Sequence, residues 1–293
     1  MNSEPDWGLY RTFLAVVEHR SLSGAARRLG LTQPTVGRHI TALEQAVGTD
    51  LFLRSQRGLV PTERALELKP YADSLAATAA ALVRTASGGS DELRGAVRIS
   101  ASEVVGAEHL PAILAPLRDR HPGLVFEIAL SNAVEDLLER QADIAVRMVE
   151  PSQEALVAKR LRPISVGLHA HRSYLERRGA PASMADLAGH DLIGFDRETA
   201  AIRGLVERFP KFDRSAFALR IDSDLGQLAA LRAGFGIGMC QAPVARRDPD
   251  LVPVLVAEIA VNLEVWIVMH ENLRSSARFR VVFDALAAGL SSL

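Results

Sequence analysis

The chain has 293 residues, 48% hydrophobic and 24% charged, with 34 basic side chains against 35 acidic ones for a net charge of −1. That length is about two ordinary domains, and the balanced charge excludes attraction to a polyanion by bulk charge, so any nucleic-acid contact must come from local patterning. A lone Cys240 excludes an internal disulfide, no apolar run approaches the ~20 residues of a membrane span, and the opening MNSEPDWGLY has no basic-then-apolar leader pattern, so a cytoplasmic protein is expected.

Three helices are predicted first. Leu9, Phe13, Val16 and Val17 share one helical face; Leu22, Ala25, Ala26 and Leu29 repeat the pattern; Val36, Ile40, Leu43 and Val47 form a third stripe. Ser21 or Ser23 suits the cap of the second helix and Gly30 its end, while Thr32 suits the cap of the third, with Pro34 in its first turn. Two short helices joined by Gly30-Leu31-Thr32 make a helix-turn-helix. Rotating the third helix about its apolar stripe turns Arg38 and Gln45 outward, with Pro34 and Thr41 beside them and Gln33 and Thr35 on the flanks. Arg can read guanine, Gln adenine and Thr the thymine methyl from such a position. Asp50 to Pro61 then places apolar residues around a turn at Gly58, a wing-like hairpin carrying Arg54 and Arg57, residue types suited to phosphate or the minor groove.

The stretch SLSGAARRLGLTQPTVGRHITALEQAVGTDLFLRSQRGLVPT closely resembles the LysR-type transcriptional regulators. The likeness is carried by the alanine-rich second helix, the Gln33-Pro34 pair, Arg38, Leu43-Glu44 and the Leu51-Phe52-x-Arg54-x-x-Arg57-Gly58 wing. It implies that Gln33, Thr35, Arg38, Arg54 and Arg57 face double-stranded promoter DNA. Gly37 departs from the pattern, standing where a serine is common, and Arg64-Ala65 replaces a common Ala-Gly pair.

A long helix is predicted from Thr62 to about Ala86. Ala65, Ala72 and Ala79 recur at seven-residue spacing, as do Leu68, Leu75 and Leu82, together an alternating seam of the kind that joins two helices. Pro70 is expected to kink it or interrupt its hydrogen-bond ladder. The resemblance places a dimerising linker helix here, implying a homodimer or tetramer and two-fold operator recognition. Ser87-Gly88-Gly89-Ser90 then reads as a flexible linker. The expected division is a winged helix-turn-helix over 1–61, a linker helix and hinge over 62–90, and an effector domain over 91–293.

Beyond the linker the pattern is α/β. Strands are predicted at 97–101, 125–130 and 143–148, a helix over 110–120, and another from Asn132 to Gln141, a βαβαβ order that puts ligands beyond the carboxyl ends of parallel strands. Those ends are Ser102, Glu103 and Val104, Ser131 and Asn132, and Arg147. A second unit has strands at 164–169, 192–195, 216–221 and 236–240, directing attention to Phe195, Asp222, Ser223 and the backbone near Gly238. The segment 263–290 is expected to return to the first unit. The resemblance implies two lobes like those of periplasmic solute-binding proteins, lobe I over about 91–161 and 266–293 and lobe II over about 162–265, with a small effector between them. Helix N-termini and Arg147 favour an organic anion, whereas Glu103 would accept an ammonium group, and both remain open.

Enzyme signatures fail. Gly234-Phe235-Gly236-Ile237-Gly238 follows a helix and enters a strand, the reverse of a dinucleotide fingerprint, and reads as a helix end with close packing. Glu108-His109 lacks the second histidine of a zincin, His169 and His171 have no partners at metal-ligand spacing, and Cys240 has no nucleophile signature, so no enzyme, cofactor or metal is expected. The alternatives from other classes are a solute-binding receptor or an enzyme carrying an unrelated helical domain.

Overall fold

The computed structural model describes residues 5–55, 58–86, 93–132, 142–151, 156–197, 199, 202–204 and 212–293, which divide between Val83 and Arg84 into two units.

In the first unit, α1 (Trp7–His19), α2 (Leu22–Leu29) and α3 (Gln33–Val47) start where side-chain oxygens satisfy orphan N–H groups: Asp6 accepts from Gly8, Ser21 from Gly24 and Thr32 from Thr35. Gly30 and Gly48 end α2 and α3 in the left-handed conformation. Phe13, Val16, Ala25, Ala26, Val36, Ile40 and Leu43 pack into one core, which Phe52 joins with its ring 5.8 Å from that of Phe13. Val47 departs from the expected stripe: it ends α3 at the surface. The hairpin β1 (Phe52–Ser55) and β2 (Gly58–Pro61) is antiparallel, Phe52 opposite Pro61 and Ser55 opposite Gly58.

Helix α4 (Glu63–Ala86) is capped by Thr62, whose hydroxyl accepts from Ala65 N at 3.2 Å, and it continues through Pro70 without a break. Its expected seam needs correction. Ala65 and Ala72 are buried in the unit's own core and the half-buried Leu68 packs against the same cluster, so the two alanines have no surface left for a second subunit to cover. Ala79 is half-buried, and Leu75 and Leu82 remain open at 46% and 68% exposure, together with Leu66, Tyr71 and Val83. A seven-residue repeat fixes which residues share a stripe, but a repeat of that kind fits a covering domain as well as a partner helix.

The second unit holds two sheets. The first runs β4 (Leu124–Leu130), β3 (Gly95–Ala101), β5 (Ile144–Arg147), β13 (Trp266–His270), β6 (Leu156–Arg160). β3 is parallel to both β4 and β5, and β13 runs antiparallel to β5 and β6, so the end of the chain returns to this lobe. Side chains of α5 (Leu110–Arg120) and α9 (Ala277–Ser291), among them Leu114, Leu117, Phe279, Val282 and Leu286, form its core. A π-helical turn, Val105–His109, precedes α5. The expected helix after Asn132 lies outside the described residues.

The second sheet contains β7 (Ile164–His171), β8 (Leu192–Gly194), β9 (Phe217–Arg220), β10 (Ile237–Gln241), β11 (Leu251–Pro253) and β12 (Val261–Leu263). It is mixed: β8 is parallel to β9 and β10, while β7 is antiparallel to β10, β11 and β12. Helices α6 (Arg172–Arg178), α7 (Asp224–Arg232) and the single turn α8 (Ala242–Ala245) accompany it. Gly234 follows α7 at φ 69°, and a Cβ on Gly236 would lie 2.0 Å from the Asp191 carbonyl oxygen, so these glycines serve a tight turn and close backbone approach.

Candidate functional site

At the start of α3 a short polar chain runs outward. The Thr32 and Thr35 hydroxyls lie 2.8 Å apart, Arg38 Nη2 donates to Thr35 Oγ1 at 3.4 Å, and Ser23 Oγ donates to Gln33 Oε1 at 3.0 Å, tying the first turn of α3 to α2. Gln33, Pro34, Arg38 and Thr41 are exposed and Thr35 is half-buried, so these five share the outer face of one helix. Gly37 does not: a Cβ there would stand 3.9 Å from Leu22, facing α2. Arg54 is exposed on β1, and Arg57 lies outside the described residues.

One residue positioning the wing carried no role in the sequence reading. Glu44 Oε1 accepts the backbone N–H of Leu51 at 2.8 Å and of Phe52 at 3.3 Å, fastening the entry of the hairpin to α3. From the other side, Leu59 N donates to the Arg20 carbonyl at 2.9 Å. The only sequence signal was the Leu43-Glu44 pair itself, because a carboxylate facing backbone amides seven residues on leaves no periodic trace.

In the second unit a cavity of about 450 Å³ lies between the lobes. Val104 reaches it from lobe I; Phe195, Leu228, Met239 and Leu263 are among its apolar walls from lobe II, and Asp224, Gln227 and Gln241 supply its polar groups. Beside it the lobes are joined through α7. Glu103 Oε2 accepts from the Ser223 hydroxyl at 2.7 Å and Leu225 N at 3.2 Å, Asn132 Oδ1 accepts from Glu103 N at 3.1 Å, and Asn132 Nδ2 donates to Asp224 Oδ2 at 2.9 Å. Burial, reinforced by the Glu103 charge, holds the Asp224 carboxyl above its ordinary value.

A second junction lies behind the cavity. Arg232 forks onto Glu108 at 2.7 and 3.0 Å, Arg247 stands 3.7 Å from the same carboxylate, and Arg232 also reaches Asp248. The Arg232 hydrogen bond holds the Glu108 carboxyl below the usual range. Next to it, His109 Nε2 donates to Gln241 Oε1 at 2.9 Å; the ring is buried, its Nδ1 has no partner among the described residues, and burial keeps it neutral by lowering its pKa. Neither Glu108 nor His109 was among the expected site residues, because their partners lie more than a hundred residues away.

The structure therefore brings Glu103, Val104, Asn132, Phe195 and Ser223 together at the cavity or its rim and leaves the others off it. Arg147 is corrected most clearly: it is 5% exposed and turned into lobe I, donating to Ser100 Oγ at 2.7 Å and the Val146 carbonyl at 3.1 Å. Ser102 and Ser131 serve backbone hydrogen bonds at the ends of β3 and β4. Asp222 accepts from Asp196 N and Arg197 N, closing a loop. Gly238 packs against Ile193 and Leu231, and the cavity begins with the residues after it, because β10 meets it by its carboxyl end. Among the described residues no histidine, cysteine and carboxylate group clusters as a metal site, and no helix is long and apolar enough to cross a membrane.

A winged helix-turn-helix in one unit and a two-lobed α/β cavity in the other define a ligand-responsive DNA-binding regulator. The chain belongs to the LysR family: residues 7–66 match the bacterial regulatory helix-turn-helix protein, lysR family, and residues 90–291 match the LysR substrate binding domain, so it is a LysR-type transcriptional regulator with a DNA-binding and an effector-binding domain. Among its relatives, the probable hydrogen peroxide-inducible genes activator of Mycobacterium avium is 38% identical over 130 residues, covering 44% of this chain and only 40% of that protein. The probable HTH-type transcriptional regulator LtrA of Klebsiella pneumoniae is 24% identical across all of this chain and 96% of its own length. The fold is shared with full-length CbnR solved in complex with its target DNA, at a TM-score of 0.62 and 19% identity over 97% of this chain and 99% of that one.

Proposed function

We propose that this regulator reads promoter DNA through Gln33, Pro34, Thr35, Arg38 and Thr41 of α3, with Arg54 and Arg57 of the wing on the backbone or minor groove, and that a small organic effector in the inter-lobe cavity modulates this binding in the cytoplasm without being chemically transformed. The observation carrying the DNA reading is the outward Thr32–Thr35–Arg38 hydrogen-bond chain, which presents a guanidinium from the N-terminal half of the exposed face of α3. Division at 1–61, 62–90 and 91–293 fits this assignment of work. Coupling requires that the effector favour one arrangement of the lobes over another, and the Glu103–Ser223 and Glu108–Arg232 junctions are where such a preference would act.

The test is selection of bound sequences from a randomised DNA pool, followed by titration of the best site against a scrambled one at several salt concentrations. Site-specific, salt-sensitive binding is expected, and Arg38→Ala should lose about 1–3 kcal/mol of discrimination at one base position. Unchanged discrimination removes Arg38 from base reading. The name of the M. avium relative raises peroxide sensing, and Cys240 argues against it here. The thiol is buried and burial pushes its pKa up to about 11, so the reactive thiolate is scarce at neutral pH.

A further inference from the structure

Resting on the reading of the inter-lobe cavity as an effector site, we infer that its occupant is a hydrophobic amine, an apolar body seated among Phe195, Leu228 and Met239 with its ammonium group toward Asp224, rather than an organic anion. Two independent placements lead there.

The first is that the position best suited to an anion is already filled from within the chain. Ser223 and the first-turn amides of α7, which have no partner within the helix, form the hydroxyl-and-backbone cradle that a helix N-terminus offers to a carboxylate or phosphate, and Ser223 Oγ itself takes the Gly226 amide. Glu103 occupies it: one carboxylate oxygen takes both the Ser223 hydroxyl and the Leu225 amide. The cation expected to reinforce an anion site, Arg147, is buried in lobe I against Ser100. An incoming carboxylate would meet the charge of Glu103 at the cradle and would have to displace it.

The second is the chemistry of the walls. Among the described residues, no lysine, arginine or histidine lines the cavity, and its one ionisable side chain besides the Cys240 thiol is the carboxyl of Asp224. Arg203, between the lining residues Ile202 and Gly204, is exposed. Among the described residues, Asp224 receives one hydrogen bond, from Asn132 Nδ2, on Oδ2. Glu103 stands within the same hydrogen-bonded ring, so two carboxylates share one edge of a space whose other described polar side chains, Gln227 and Gln241, are uncharged amides. A bound ammonium offsets the burial cost and the mutual repulsion of that pair, whereas a bound anion adds a third like charge. Burial first and the Glu103 charge second push the Asp224 carboxyl up, a strain that a nearby cation would relieve.

Isothermal titration of the full-length chain decides the matter with two matched probe sets: 2-phenylethylammonium, 2-phenylethanol and phenylacetate, and hexylammonium, hexanol and hexanoate. Each ammonium is expected to bind at least tenfold tighter than the carboxylate of the same body. Asp224→Asn should weaken the ammonium about tenfold and leave the alcohol within twofold, a split that general damage to α7 would not produce. Glu103→Gln keeps an oxygen for Ser223 and Leu225 while removing charge, and should weaken the ammonium about threefold. Leu228→Trp fills the cavity and should abolish all binding. Carboxylates binding as tightly as ammoniums, with binding lost in Leu228→Trp, would overturn the amine inference and leave the cavity as the effector site. Ammonium binding indifferent to Asp224→Asn and Glu103→Gln would also overturn it. Absence of binding by all six probes would remove both the inference and the reading beneath it.

Discussion

Replacing Glu44 by alanine isolates the fastening between recognition helix and wing. Its carboxylate takes two backbone donors, Leu51 N at 2.8 Å and Phe52 N at 3.3 Å. Leu51 is fully buried and Phe52 is 9% exposed, so neither amide gains an easy route to water when the oxygen is removed. A buried donor left without a partner costs roughly 1–3 kcal/mol. The short bond falls in the upper part of that range and the long one at the bottom, and Glu44 is itself half-buried, which lets some water in. The expected loss is about 2–3 kcal/mol. Hydrogen exchange on the full-length chain reads it directly: the Leu51 and Phe52 amides should exchange roughly 30–150-fold faster in Glu44→Ala, at about 1.4 kcal/mol per tenfold. Glu44→Gln, which keeps an acceptor, should recover more than half of the protection. Non-specific DNA affinity should fall with the wing loosened, while base discrimination through α3 is retained. Protection within twofold of the wild type would refute the reasoning.

Gly37→Ala should stabilise the first unit by about 0.8 kcal/mol through helix propensity, since the added methyl meets only Leu22 at 3.9 Å, whereas Gly58→Ala should destabilise it, its Cβ falling 2.5 Å from the Arg20 carbonyl at φ 108°; denaturant midpoints compare the two. His109 and His169 are both held neutral by burial, so the unfolded chain takes up protons first. Stability should hold above the unfolded pKa of about 6.5 and fall as the pH drops below it, with His109→Gln flattening the slope in denaturation series from pH 7.5 to 5. Leu75→Gln with Leu82→Gln should weaken self-association in sedimentation with little effect on the fold, because both side chains are exposed, while Ala72→Gln should unfold the first unit.

How much of this was legible in the sequence follows from how far apart the interacting residues lie. Caps, helices and the hairpin turn come from neighbours within a few positions, and Ser21, Thr32 and Gly30 took the places their chemistry predicted. β3, β4 and β5 were readable for the same reason, whereas β6, held by pairing with the distant β13, was not predicted, and the strand-end rule pointed to Glu103, Val104, Asn132 and Ser223, which lie at the cavity or its rim. It could not say which way a side chain turns at such an end. Arg147 turns inward because Ser100 on the adjacent strand offers it an oxygen. The Glu108–Arg232 and His109–Gln241 pairs were invisible, since nothing in local spacing links positions on separate lobes. The α4 stripe shows the converse: its period was plain, and only the packing revealed that the N-terminal domain covers half of it.

The placement of β13 has a consequence for synthesis. That strand lies between β5 and β6 although it comes from residues 266–270, so the lobe I sheet has a gap at its interior until nearly the last part of the chain is made. At roughly ten residues per second, the interval between Arg147 and Trp266 is on the order of ten seconds. During it the DNA-binding helices are complete and free to fold, while the edges of β5 and β6 destined for β13 wait unpaired on the ribosome. A premature stop before Trp266 would thus release a chain with a finished DNA reader and an unfinished ligand sensor.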